Sequence, residues 1–241
     1  MMNLIKRSVK KAFYAAGFDI VRDGNTRNVT YSILGLTHLP IRTIIDVGAN
    51  CGQFAQHISS WFPQARIYSF EPQPEPFKEL SVWAEKQKGR VVPFHLALGA
   101  QEGELDMVCN IEDPTSSSFL KSTKTLEDCR PQMKKKAVAK TRMTTLDKWA
   151  RDPSLTLEPG ILIKLDTEGY DNRVIKGGQE LFKAAKACNV EISLDKFFEE
   201  QADFREITDM LYDLGFRYAG NLHQIYAPDG HVTVIDAIFV K

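Results

Sequence analysis

Residues 43–54, TIIDVGANCGQF, constrain the fold of this chain more than any other stretch. The first five residues are mostly β-branched, which favours a buried strand, and after Gln53 the apolar residues follow helical spacing. Between strand and helix, Gly48 and Gly52 bracket a tight turn, where a ligand can approach the backbone closely. A strand that passes through such a turn into a helix directs backbone N–H groups at one point, which is typical of an anion site.

An acidic residue follows the second predicted strand. The apolar residues 67–70 end at Glu71, and an acid in this place of a βαβ unit suits the hydroxyls of a ribose. Together with Asp46 in the first strand, the pattern predicts a nucleoside cofactor. Asn50 stands where the dinucleotide pattern G-x-G-x-x-G has its second glycine. A dinucleotide-dependent oxidoreductase and a non-catalytic nucleoside-binding module therefore stay open as alternatives, behind an enzyme that uses another nucleoside.

Four motifs, taken in order, resemble a known family. They are DVGAN-x-G-QF from Asp46, FEP from Phe70, ALG from Ala97 and KLDTEGYD from Lys164. This series resembles the FkbM family of S-adenosylmethionine-dependent methyltransferases, from about residue 41 to the end of the chain. The resemblance implies an α/β, Rossmann-like class I methyltransferase fold. Its sheet is mostly parallel and seven-stranded, with helices on both faces and a C-terminal antiparallel hairpin.

The domain organisation follows from the alternation of strands and helices. Residues 41–241 predict one methyltransferase domain, and residues 103–143 depart from the rhythm as an insertion over the strand ends. Residues 1–40 predict an N-terminal helical extension. Within it, residues 2–18 form an amphipathic pattern with a basic face. We favour a helix that packs over the cofactor domain; weak peripheral contact with a membrane surface is the alternative.

The predicted cofactor site collects the glycine turn, the two acids and the ALG motif. The turn amides would hold the methionine carboxylate, and Glu71 would hold the ribose hydroxyls. In the resembled family the adenine end lies near ALG, so two apolar residues of that motif could flank the ring. The predicted cofactor-binding residues are Asp46, Gly48, Asn50, Gly52, Gln53, Glu71, Ala97 and Leu98.

The predicted catalytic residues lie at the end of the fourth main strand. A hydroxyl acceptor must lose its proton during methyl transfer, and Asp166 is the best-placed general base. Lys164 and Glu168 would tune the pKa of Asp166. Alternatively, the three charges form an ion-pair network that shapes the loop. A divalent metal held by Asp166, Glu168 and Glu191 is a further alternative, which we do not favour because no spacing brings these residues together.

Composition limits the partners. Lys and Arg total 31, as do Asp and Glu, so the net charge is zero, which argues against nucleic acid as a partner. No apolar run reaches the ~18 residues of a membrane span, and no secretory signal is recognisable. We therefore expect a cytoplasmic protein. The four cysteines have no metal-binding spacing.

The acceptor is expected from the resemblance alone, which implies O-methylation of a small molecule, such as a sugar or glycan precursor. Weak support comes from the hydroxyl-rich residues 113–118 and from the basic residues 121–136, which would suit hydroxyl and anionic groups. Aromatic residues able to stack on a sugar ring include Phe119, Tyr170, Phe197 and Phe198. The sequence does not indicate an oligomeric state.

Overall fold

The structure, a computed structural model, describes residues 33–110, 112, 116–130 and 136–241. The chain divides into two units, Met1–His38 and Leu39–Lys241. In the first unit a short 3₁₀ helix spans Leu36–His38. The amphipathic helix predicted at residues 2–18 lies outside the described residues. All elements named below belong to the second unit.

The second unit alternates strands with short helices, and its strands form two sheets. The strands are β1 Thr43–Val47, β2 Arg66–Phe70, β3 Val91–Phe94, β4 Ala97–Leu98, β5 Gly103–Asn110, β6 Lys136–Thr144, β7 Ile161–Leu165, β8 Ala187–Ser193, β9 Arg217–Tyr226 and β10 Val232–Val240. The helices are α1 Gln53–Trp61, α2 Pro74–Glu85, α3 Lys124–Cys129, α4 Leu146–Ala150, α5 Asp171–Lys176, α6 Gln179–Ala184 and α7 Phe204–Asp213.

The main sheet has seven strands in the order β3-β2-β1-β7-β8-β10-β9. Strands β3, β2, β1, β7 and β8 are parallel, whereas β10 is antiparallel to both β8 and β9. This arrangement confirms the predicted fold class and the C-terminal hairpin. The strand order reverses between β1 and β7, so the carboxyl ends of β1, β2 and β7 meet at a topological switch point.

The core between the sheet and its helices is rich in aromatic rings. Trp149 of α4 packs edge-on against Tyr68 and Phe70 of β2, with ring centroids 5.2 and 4.9 Å apart. Phe94 of β3 stacks on Phe70 at 5.0 Å. Such pairs contribute about 0.5–1.5 kcal/mol each beyond the burial of their area. They hold the β2 and β3 ends rigidly beside the switch point.

The predicted insertion forms a second sheet of three strands in the order β4-β6-β5. Strands β5 and β6 pair as a long antiparallel hairpin, as the alternating sequence predicts. Strand β4 pairs in parallel with β6, a pairing that the sequence did not indicate. Ala97 and Leu98, predicted only as apolar flanks of the adenine ring, are thus buried strand residues.

The periodicity of residues 174–185 predicts one helix, but the structure contains two, α5 and α6, separated by Gly177 and Gly178. A Cβ at Gly177 would lie 2.0 Å from the carbonyl oxygen of Gly99, and one at Gly178 would lie 2.9 Å from the Leu146 side chain. The close packing predicted from these glycines is confirmed, and the helix breaks where that packing occurs. Among the described residues, no helix has the length and apolar character needed to cross a lipid bilayer.

Candidate functional site

The turn after β1 is tied to β2 by its own backbone. The amides of Gly48 and Ala49 donate to the carbonyl oxygen of Phe70, at 3.1 and 2.9 Å. The Asn50 amide donates to Glu71 Oε2 at 2.7 Å, and the Cys51 amide donates to Asn50 Oδ1 at 2.8 Å. These amides are engaged within the protein. The expectation that they hold a ligand carboxylate is therefore not supported by this structure.

The two turn glycines serve contacts within the fold. Gly48 has φ of +75°, and a Cβ there would lie 1.8 Å from the carbonyl oxygen of Asp166. Gly52 has φ of +87°, and a Cβ there would lie 2.9 Å from the Leu80 side chain of α2. We expected glycine here so that a ligand could approach the backbone. The structure gives a further reason: glycine lets the turn touch the loop after β7 on one side and α2 on the other.

Glu71 directly follows β2, and both of its carboxylate oxygens accept hydrogen bonds from backbone amides. Oε2 accepts from Asn50 and Oε1 accepts from the Gln73 amide, each at 2.7 Å. The side chain is only 2 % exposed. Burial raises the pKa of Glu71 to about 7, although the bonds from Gln73 and Asn50 oppose the rise. Each oxygen retains a lone pair for a hydroxyl donor.

Gln73 is a residue of this site that sequence reasoning missed. Its side chain is buried, and its Oε1 accepts from the Ser117 hydroxyl at 2.8 Å. Ser117 Oγ in turn accepts from the Asn110 amide at 3.0 Å. These bonds connect the end of β2 to the inserted hairpin. No local signal marks Gln73, because its partner lies far along the chain.

Two hydroxyls of the hydroxyl-rich loop make hydrogen bonds within the protein. Ser117 bonds to Gln73, and Ser118 Oγ donates to the carbonyl oxygen of Glu168 at 2.8 Å. These hydroxyls are buried, so their predicted role as sugar ligands is not supported; Thr115 lies outside the described residues. Of the predicted basic run, Lys136 bonds to Ser122 and pairs with Glu127.

Lys164 is the centre of the buried charges at the switch point. Its Nζ donates to the carbonyl oxygen of Gly48 and to Asp166 Oδ2, each at 3.0 Å, and lies 3.7 Å from Asp46 Oδ1. Burial alone would lower the pKa of Lys164. The negative charges of Asp166 and Asp46 raise it by more than burial lowers it, so the pKa lies above its ordinary value. The predicted ion-pair network is present. Lys164 stays charged at neutral pH, with two hydrogen-bond acceptors and a second carboxylate nearby.

Asp46 is fully buried behind this network. Its Oδ2 accepts from Ser69 Oγ at 3.2 Å, while Oδ1 has no hydrogen-bond donor among the described residues. Burial raises the pKa of Asp46, and Lys164 and the Ser69 bond oppose the rise. The carboxylate therefore orients Lys164. Direct contact of Asp46 with a cofactor stays a prediction, as do contacts of Asn50 and of Gln53, whose amide bonds Asn50 Oδ1 at 3.3 Å.

A cleft of about 220 Å³ opens beside Asp166. Asp166, whose side chain is 32 % exposed, shares its wall with Glu168 and Glu191. One oxygen from each of the three carboxylates lies within 4.8 Å of the others. The lining is completed by one arginine, one serine and apolar side chains: Leu126, Arg130, Ser193, Phe197, Ile225 and Val234. The cleft thus offers acids beside apolar surface.

The three acids of the cleft have different environments. Burial raises the pKa of Glu191 to about 10, with further contributions from the charges of Asp166 and Glu168. Asp166 has the ammonium of Lys164 beside it. Glu168 adopts φ of +51°, a left-handed conformation that is unusual for a non-glycine residue and typical of functional loops. At neutral pH Glu191 is protonated and can donate a hydrogen bond, and Asp166 faces the cleft beside it.

The described residues fit the nucleoside part of the expected cofactor. Glu71 offers two acceptor oxygens for hydroxyls, and the buried Asp46 Oδ1 lacks a hydrogen-bond donor. The side-chain amide of Asn110, at the end of β5, also lacks a partner in the described part of the chain. Buried polar atoms without partners are uncommon. Asp46 belongs to β1, and the Asn110 backbone is connected to Gln73 through Ser117. This fold with this site defines a class I methyltransferase.

The family comparison gives the same assignment. The sequence pattern described as Methyltransferase FkbM domain matches residues 46–218. The chain belongs to this family and is an S-adenosylmethionine-dependent methyltransferase. The expected family and cofactor are confirmed, and the oxidoreductase alternative is wrong.

Two similar proteins are distant from this chain in sequence. A 2-O-methyltransferase, NoeI of Sinorhizobium fredii, is 25 % identical over 187 residues, which cover 74 % of this chain and 74 % of NoeI. The crystal structure of methyltransferase FkbM from Methylobacillus flagellatus KT is 11 % identical, with a TM-score of 0.51. That match covers 96 % of this chain and 58 % of the other, so this chain spans little more than half of that protein. The second likeness concerns the fold alone.

Proposed function

We propose that this enzyme methylates a hydroxyl oxygen of a small acceptor, a sugar or glycan precursor, bound in the cleft beside Asp166. One observation carries the proposal: Asp166 is exposed to the cleft while the buried Lys164 holds it at 3.0 Å. The name of the similar protein NoeI, a 2-O-methyltransferase, supports oxygen as the methylated atom. S-adenosylmethionine supplies the methyl group from a positively charged sulfonium.

The residues proposed to hold the cofactor lie at the ends of β1 and β2. Glu71 accepts from the ribose hydroxyls, and Asn50 positions Glu71 through its amide at 2.7 Å. Gly48 and Gly52 maintain the turn, with Gln53 beside it. The buried acids of the site favour a cationic ligand electrostatically. Asp46 contributes to this field without losing its bond to Ser69.

Asp166 is proposed as the general base that removes the acceptor proton. Its exposed carboxylate can reach a hydroxyl in the cleft, while Lys164 fixes its orientation from the buried side. Lys164 therefore acts as a positioning residue. Alignment of the acceptor oxygen with the methyl group supplies up to about 7–11 kcal/mol, and proton removal adds a factor of about 10²–10⁴.

The lining of the cleft supports a neutral, polyhydroxylated acceptor. The three carboxyl groups add no positive charge that would attract a polyanion, and they can exchange hydrogen bonds with the hydroxyls of an acceptor. Phe197, which is buried at the cleft wall, offers apolar surface to a ring. Of the other aromatic residues predicted for this purpose, Phe119 packs on Tyr170 at 5.2 Å, and Phe198 is 2 % exposed. The zero net charge also supports an acceptor other than nucleic acid. A cytoplasmic location stays a prediction.

The test is Asp166→Asn, which keeps the shape but removes the base. Turnover should fall by about 10²–10⁴, while the affinity for S-adenosylhomocysteine stays within about threefold. The assay transfers labelled methyl to nucleotide sugars, free glycans, small phenols and peptides. Asp195→Asn is the matched control, because Asp195 is 28 % exposed but does not line the cleft.

Each part of the proposal fails on a different result. Label found only on peptides or phenols would remove the glycan assignment and leave the methyltransferase intact. Equal losses of folding stability and turnover in Asp166→Asn would favour a purely structural ion-pair network. Turnover that is unaffected by Asp166→Asn would remove the general base.

A further inference from the structure

Two buried asparagines of this enzyme differ in whether the side-chain amide has a hydrogen-bond partner. Asn189 of β8 is 4 % exposed, and its Nδ2 donates to the carbonyl oxygen of Ala237 at 3.3 Å. Asn110 of β5 is 3 % exposed, but neither Nδ2 nor Oδ1 has a hydrogen-bond partner within the described residues. A buried primary amide with both ends unpaired is unfavourable, and native proteins rarely keep one without a reason.

Asn110 lies at the end of a hydrogen-bonded chain that begins at the proposed ribose acid. The backbone N–H of Asn110 donates to Ser117 Oγ, and the Ser117 hydroxyl donates to Gln73 Oε1. The Gln73 amide donates to Glu71 Oε1. All four residues are at least nine-tenths buried. This series of hydrogen bonds places Asn110 beside the proposed cofactor site and fixes the Asn110 backbone there. Only the Asn110 side chain is left without a partner among the described residues.

The electrostatics of the neighbouring thiol reflects the same proximity. Burial raises the pKa of the neighbouring Cys109 thiol, and the charges of Glu71 and Glu75 raise it further. The end of β5 is thus close enough to the end of β2 for the Glu71 charge to act there. A ligand held at Glu71 by one group would present its next group to this part of the hairpin.

We propose that the side-chain amide of Asn110 binds the adenine base of S-adenosylmethionine. An asparagine amide carries a donor and an acceptor side by side, which matches the amino group and an adjacent ring nitrogen of adenine. The proposal rests on the cofactor site proposed above, with Glu71 at the ribose. It also explains why the amide has no partner within the protein: its partner is the ligand.

The experiment measures two ligands on three proteins by calorimetry. The ligands are S-adenosylhomocysteine and its purine analogue, in which hydrogen replaces the adenine amino group. The wild type should bind the analogue about 2- to 13-fold more weakly, the loss of one hydrogen bond. Asn110→Leu should bind S-adenosylhomocysteine about 5- to 150-fold more weakly and should no longer distinguish the two ligands.

Asn189→Leu is the matched control. It removes a paired amide, so its melting temperature should fall while its preference for the adenosyl ligand stays that of the wild type. Asn110→Leu should keep or raise the melting temperature of the free enzyme, because the lost amide had no partner. If Asn110→Leu does not fold, Asn110→Ser provides the same comparison of ligands.

The outcomes separate this inference from the proposal on which it rests. A wild type that binds neither ligand would contradict the cofactor site itself. A wild type that binds both equally, or Asn110 variants that keep the full preference, would overturn the adenine contact alone. A lower melting temperature in Asn110→Leu with unchanged preference would show that a buried water bonds the amide and that its role is structural.

Discussion

Glu71 and Asp166 both follow a parallel strand of the same sheet, but different groups hold them. Glu71 is 2 % exposed and has a backbone amide on each oxygen. Asp166 is 32 % exposed, is held by a buried ammonium and faces two further carboxyl groups. Glu71 is thus buried and held by neutral backbone donors. Asp166 is held by a positively charged side chain at the edge of a cleft.

The difference matches the two proposed roles, ligand binding for Glu71 and proton removal for Asp166. Neutral donors offset only part of the burial penalty, so the pKa of Glu71 rises to about 7. At the other strand end the ammonium of Lys164 contacts the Asp166 carboxylate, and burial raises the pKa of Glu191 to about 10. Both ends meet through Gly48, whose carbonyl oxygen accepts from Lys164. The two regions can be perturbed separately, and the tests below do so.

The largest expected effect is that of Lys164→Met. Removing the ammonium leaves Asp46 fully buried without its counter-charge, and breaking such a pair destabilises a protein by about 3–5 kcal/mol. Urea unfolding monitored by circular dichroism measures the loss. The exposed pair between Lys148 and Glu102 supplies the control, since Lys148→Met should change the free energy of unfolding by no more than about 0.5 kcal/mol. Equal losses in the two variants would mean that the buried charges do not organise the site.

The second effect is a pH dependence confined to the Glu71 end. Folding raises the pKa of Glu71 from an ordinary 4.5 to about 7. In the proposed site, ribose hydroxyls donate to the ionised form of Glu71. Binding must then expel a proton below about pH 7. We expect the affinity for S-adenosylhomocysteine to be constant above that pH and to fall by up to about tenfold per pH unit below it.

Calorimetry between pH 5.5 and 8.5, in two buffers of different ionisation enthalpy, measures both the affinity and the proton release. Glu71→Ala should bind more weakly, by about 0.5–1.5 kcal/mol or more for each lost bond, and its affinity should not change across this range. A wild type whose affinity is equally constant would remove Glu71 from the ribose site.

The parts of the fold that were predictable from sequence are the locally encoded ones. The β-branched residues of β1 and the apolar run of β7 predicted both strands within one residue, because each is buried on two faces. The pairing of β4 with β6 was not predictable, since two residues of strand carry no periodicity. The break between α5 and α6 depends on the position of Gly99, which no local pattern reveals.

The candidate site shows the same limit. Asp166 and Glu71 were predictable, since an acid that ends a parallel strand is expected at the ligand-binding edge. Glycine at residue 48 indicated a close approach, and the structure places the carbonyl oxygen of Asp166 where a Cβ would lie. Gln73 and Asn110 were missed because their roles depend on a hairpin that folds back from far along the chain.

The smallest expected effect concerns metal ions at the Asp166 end. The three carboxyl groups lie close enough together to hold a divalent cation. However, Lys164 already offsets the charge of Asp166, and a pKa of about 10 keeps Glu191 protonated at neutral pH. We therefore expect turnover of the dialysed enzyme to be unchanged by a chelator or by added Mg²⁺.

Glu191→Gln sharpens this test, because glutamine resembles the protonated acid and still donates a hydrogen bond. Turnover in this variant should stay within about threefold of the wild type, since a neutral donor replaces a neutral donor. A metal ligand would behave differently: chelation would stop the reaction, Mg²⁺ would restore it, and Glu191→Gln would raise the Mg²⁺ concentration needed. That result would make the Asp166 end a metal-assisted site and would remove the general base from the comparison with Glu71.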